Sequence, residues 1–225
     1  MSIFFLLLKK EFLLELRGKE TIAVFIGNIL LITCIVGAGV SSAFLDPEMT
    51  RRIFPMLLWI VFLFSATLSS IRGNEQELEG KAFEALLLAG VSPVAIYLAK
   101  LIAAIALLFT GLVLTVASLS VLLNVNVLSI VQPLIFSALG IVFGYASLST
   151  VTIAIAGTSR LRGVLLSLIL LPLLFPLFFA AVEITAIIVE RGSIEISSPW
   201  LSLMVAADTI YFFAGLNLYG YLLRE

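Results

Sequence analysis

Histidine is absent from the 225 residues. That excludes imidazole metal sites, imidazole general bases and histidine ligation of haem by this chain. Cysteine occurs once, as Cys34, so no internal disulfide can form. Charge is scarce: Asp, Glu, Lys and Arg make up 12% of the residues, where a soluble domain carries about 25%. The net charge of −1 gives no electrostatic footprint for nucleic acid. A phosphate-binding loop is missing too. Glu79-Gly80-Lys81-Ala82 contains the Gly-Lys pair, but Glu75 stands where the loop needs its first Gly and Ala82 where it needs Ser or Thr. If ATP is used, another subunit hydrolyses it; this chain does not read as an enzyme. Nor do the first residues read as a cleaved leader, because the apolar stretch Ile3 to Leu8 is too short.

What is abundant is hydrocarbon. Hydrophobic residues reach 62% and the mean hydropathy is +1.23. Apolar runs of about 20 residues need a bilayer to cover them. The pattern predicts an all-α, polytopic membrane protein of six spans in one domain, residues 1–225. The spans fall near Ile22–Leu45, Ile53–Ile71, Val94–Leu123, Ser129–Ala156, Val164–Val189 and Trp200–Leu223. Asp46-Pro47 is read as the end of the first span, and Asn124–Asn126 as a tight polar turn. Spans one and two thus occupy 22–71, a wet segment 72–93, and spans three to six 94–223.

Residues 1–20 read as an amphipathic helix. Phe5, Leu8, Phe12 and Leu16 share one stripe, with Lys9, Lys10, Glu11, Glu15 and Arg17 mostly elsewhere. Such a helix lies in the membrane surface or packs on the protein's own spans; the two are compatible. With the N-terminus inside, ten of the thirteen Lys and Arg residues fall on the cytoplasmic side, which satisfies the positive-inside rule. Both termini and segment 72–93 are then cytoplasmic.

Segment 72–93 is the long charged stretch between spans. It carries Glu75, Glu77, Glu79, Lys81 and Glu84 around an apolar helical run, Phe83 to Leu88, closed by Gly90 and Pro93. A solvated loop helix is one reading. The apolar run Phe83, Leu86, Leu87, Leu88 favours the other, a helix seated in a partner's groove. Asp208 reads as the one full charge inside a span, costing at least about 2.5 kcal/mol if left unpaired in hydrocarbon. It marks either a substrate path or subunit interface, or a buried polar contact with Thr209 or a Ser-rich span face. Pro172 and Pro176 each remove a backbone donor and predict a kinked or broken fifth span. Gly140 and Gly144 form a GxxxG pair that permits close helix packing.

The sequence Glu77-Leu-Glu-Gly-Lys-Ala-Phe-Glu-Ala-Leu-Leu-Leu88, followed by Val91-Ser92-Pro93 and Lys100, resembles the signature of the membrane subunits of ABC-2-type transporters. More closely, Leu7–Glu20 and Arg162–Ala180, the latter with its Leu-Pro-Leu-x-x-Pro core, resemble the haem exporter protein B family of bacterial cytochrome c maturation. Gly80 precedes Glu84 by four residues where the signature has three, and Gly90 stands where proline is usual. The resemblance implies a non-catalytic permease subunit, as a self-dimer or with related membrane subunits. It would pair with a cytoplasmic ABC ATP-binding subunit and a haem-handling membrane subunit. ATP would act through that partner, and no cofactor is assigned to the chain itself, although haem is a ligand it could handle. Glu77, Glu79, Gly80, Phe83, Glu84 and Leu87 would then carry the coupling to the ATPase. Two alternatives remain: an ABC-2 exporter of a lipid, polysaccharide or drug, and a membrane scaffold that transports nothing.

Overall fold

The computed structural model describes residues 3–17, 19–43, 46–79, 91–156 and 162–222. Among these there are seven α-helices, one short 3-10 turn and no strand. They are α1 (Ile3–Arg17), α2 (Lys19–Ser42), α3 (Pro47–Glu79), α4 (Pro93–Leu122), α5 (Val131–Ala156), α6 (Arg162–Arg191) and α7 (Pro199–Leu222). All but α1 are long and apolar enough to cross a membrane, six in number. Only helices can do so in a chain of this pattern, because lipid offers no partner for an open backbone group.

Proline and short polar residues set the starts. Pro47, Pro93 and Pro199 each open a helix, where the missing N–H costs nothing and φ is already helical. Asp46-Pro47 therefore begins the second span rather than ending the first. The Asp46 carboxylate accepts from Met49 N–H at 2.6 Å, as an N-cap does. The second span starts six residues earlier than the hydropathy suggested, at Pro47 rather than Ile53. Gly192, with φ of +73°, closes α6 by donating its N–H to the Ile188 carbonyl at 2.8 Å, a left-handed cap that favours glycine.

Helix α5 lies in the middle, packed by α4, α6 and α7 with a smaller contact to α3. Helix α2 lies between α3 and α4, and α3 reaches α6. The core is aromatic: Trp59, Phe62 and Tyr145 form a chain of edge-on contacts across α3 and α5. Hydrogen bonds tie the spans sideways. Trp59 Nε1 donates to Thr185 Oγ1 at 2.9 Å, and Thr67 and Tyr145 share one at 3.2 Å. In bilayers such bonds contribute about 0.6 kcal/mol each. The outer faces keep large apolar side chains exposed, Phe64, Phe136 and Phe213 among them, as they must where the solvent is lipid.

Helix α1 packs along α4 and more lightly on α2. Among its described side chains, Leu7 and Glu11 are buried. Of the expected stripe, Phe5 is exposed and Leu8 and Phe12 are half-buried, while the Leu16 side chain is outside those described. The packed face is thus turned toward Leu7 and Glu11, because Glu11 meets basic partners from this chain.

Candidate functional site

The wet segment is held between two long helices. Helix α3 does not end with its apolar stretch at Ser69. It continues to Glu79, ten residues further, or about 15 Å at 1.5 Å per residue. On the far side, Ser92 Oγ accepts from Ala95 N–H at 3.1 Å and Pro93 is the first residue of α4. Glu77 and Glu79 stand on the last described turn of α3. Gly80, Phe83, Glu84 and Leu87 lie outside the described residues.

A second arrangement lies within the bundle. Asp208 is buried on α7 and faces α5 where Gly144 has no side chain. A Cβ there would clash with Asp208 Oδ1 and stand 3.2 Å from Leu177 Cδ1 of α6. One turn away, a Cβ at Gly140 would meet Met204 Sδ at 3.1 Å. The two glycines and the aspartate, separate signals in the sequence, are therefore one packed seam. Among the described residues Asp208 Oδ1 has no hydrogen-bond partner. The Thr209 contact weighed from sequence is not made: that hydroxyl donates to its own helix, at the Val205 carbonyl. Nor is Asp208 the sole carboxylate at span depth, since Glu183 sits half-buried within α6. The sequence reading overlooked it because apolar neighbours dominate that run.

The same seam meets the prolines. Helix α6 is continuous from Arg162 to Arg191 across Pro172 and Pro176, so the break that the sequence allowed does not occur. Pro176 offers no N–H to the Pro172 carbonyl and crowds the turn before it. The Tyr211 hydroxyl of α7 donates to the adjacent Leu173 carbonyl. A neighbouring helix thus supplies a donor at the disturbed turn, which is how proline is tolerated in lipid. At the C-terminal end of α6, Arg51 Nη2 of α3 donates to the Val189 carbonyl at 2.6 Å.

A groove of about 730 Å³ opens among α3, α4, α5 and the turn after α4, with Trp59, Phe109, Val113, Val116 and Ile135 in its wall and Asn124 and Asn126 from the turn. Nothing in the sequence marked it, because its walls are ordinary span residues.

Six apolar helices, with α5 packed centrally among the others and a charged stretch of sequence between the second and third spans, define a multi-pass helical membrane protein. The comparison with known families gives the assignment. The chain belongs to the CcmB protein family, whose model matches residues 2–215. This is the haem exporter protein B family, the membrane components of the ABC transporters of cytochrome c-type biogenesis. No curated protein matches the chain.

Proposed function

We propose that the chain is the permease subunit of such a transporter and that a separate ATP-hydrolysing subunit drives it through segment 72–93. The observation that carries this reading is the continuity of the flanking helices. α3 runs unbroken from Pro47 to Glu79 and α4 restarts at Pro93. A displacement applied between them acts on two spans at once, and on the α3 side helix carries it from Glu79 onward. Phe83, Glu84 and Leu87 are the residues assigned to the partner's groove, with Glu77, Glu79 and Gly80 leading into it. Asp208 serves the movement of the α5–α7 seam, since a lone carboxylate in a glycine seat gives that contact little to hold it closed. Pro172 and Pro176 lie on the span behind it.

The complex includes a haem-handling membrane subunit, and a second copy of this chain or a related subunit completes the membrane part. Haem is handled as substrate rather than held as a cofactor. With no histidine in the chain, contacts to it are apolar, aromatic or through weaker ligands. The chain resides in the bacterial inner membrane with both termini in the cytoplasm, as the ten inside Lys and Arg residues favour. Helix α1 lies at the inner surface, and its exposed Phe5, Leu6, Leu13 and Leu14 suit the acyl boundary.

The test is Glu84→Lys or Phe83→Asp in the assembled complex. Each is expected to uncouple ATP hydrolysis from cytochrome c assembly while the spans stay folded. Full assembly activity in either variant overturns the docking role.

A further inference from the structure

We propose that the buried ion pair between Glu11 and Lys100 is a positioning joint that fixes the register of α1 on α4 and makes the two helices move as one body. Its use in transport rests on the coupling role of segment 72–93 proposed above; the joint itself does not.

The two side chains are nearly enclosed, Glu11 at 8% exposure and Lys100 at 10%, with Oε2 and Nζ 3.3 Å apart. The other carboxylate oxygen, Oε1, is held by Lys10 Nζ at 2.9 Å. Both oxygens of one buried carboxylate therefore meet ammonium groups, one from its own helix and one from a span 89 residues away. One turn back, Leu7 is buried beside them.

Burying such a pair adds little net stability, because desolvation offsets the attraction. What it adds is discrimination. Away from the pair, α1 meets the span through Leu7 and half-buried apolar residues, while Phe5, Leu6, Leu13 and Leu14 are exposed. In lipid an apolar stripe on an apolar span has no hydrophobic force to hold one register. A slip of one turn moves Glu11 by about 5.4 Å and parts its Oε2 from Lys100 Nζ, a contact made at this register. The ion pair favours that register over its neighbours.

Its place along the chain gives this consequence. Lys100 lies eight residues beyond the cap Ser92, or about 12 Å of helix. A displacement entering α4 at Pro93 reaches Lys100 within little more than two turns of stiff helix and passes to Glu11. Helix α1 ends at Arg17 and α2 begins at Lys19, so the displacement is handed on toward the first span. The joint thus recruits α2 to a movement that starts between α3 and α4.

The test uses the full chain in lipid nanodiscs with Cys34→Ser and spin labels at the exposed positions Leu13 and Val113. The unaltered pair is expected to give one narrow distance. Glu11→Leu, which keeps apolar contact, is expected to lose that single peak, and the reversal Glu11→Lys with Lys100→Glu to restore it. An unchanged narrow peak in Glu11→Leu, or a reversal that folds without restoring it, overturns the joint. Should the single variant not fold, Glu11→Leu with Lys100→Met removes both members of the pair and is read the same way. A second measurement, in the complex with its ATPase, places labels at Leu13 and Ile210. ATP should shift this distance in the unaltered pair and not in Glu11→Leu. No shift in the unaltered pair defeats the coupling reading while the first measurement still decides the joint. An equal shift in both overturns the transmitting role alone.

Discussion

Gly144 of α5 and Asp208 of α7 are in close contact: the carboxylate oxygen lies too near residue 144 to admit a side chain there. The contact sets how closely the two helices approach, and it places an unpartnered polar atom at the seam. Gly144→Ala must therefore push α7 away or turn Asp208 aside. We expect a loss of about 1–3 kcal/mol, the usual cost of overpacking, read from unfolding in detergent. Combining it with Asp208→Ala should recover most of the loss. Equal stability of Gly144→Ala and the parent would show the seam to be loose.

Asp208→Leu should be expressed and inserted, because the site is dry and the change removes a group that hydrocarbon disfavours. Transport-linked cytochrome c assembly should change. Measuring membrane levels and assembly side by side decides it: unchanged assembly would make Asp208 filler in the seam.

Tyr211→Phe removes the donor that reaches the Leu173 carbonyl beside Pro176. The expected loss is about 0.6 to 1.7 kcal/mol, the span measured for hydrogen bonds between membrane helices. With Pro176→Ala the helix regains its own N–H and loses the disturbance at this turn, so the Tyr211→Phe cost should shrink. A double-mutant cycle on unfolding free energies checks this; strict additivity would mean that tyrosine does not compensate for proline.

Trp59→Phe keeps the ring in the core but loses the bond to Thr185. It leaves a buried hydroxyl without its donor, for which about 1–3 kcal/mol is expected. Adding Thr185→Val, which removes the stranded group, should recover part of it. If the double variant is no better than the single one, the bond is not what joins α3 to α6 here.

The described helices show where legibility stopped. Six spans, and the turn at Asn124, were legible because hydropathy and turn chemistry act over a few neighbouring residues. Asp46-Pro47 misled because an end and a start use the same residue types, and only the capped Met49 N–H tells them apart. Gly140, Gly144, Asp208 and Pro176 were each visible as exceptions in apolar runs. That the glycines seat the aspartate, and that Tyr211 answers the proline, needed three helices brought side by side.

The amino-acid order by itself determined the class: hydrocarbon in six long runs, basic residues biased to one side and no histidine leave a helical membrane bundle as the outcome. It determined the family as well, since the motifs lie in continuous stretches. Which face of α1 is buried was decided only in three dimensions. Leu7 and Glu11 turn inward because Lys100, far along the chain, is there to meet the carboxylate, and a pairing across 89 residues leaves no periodic trace in either helix.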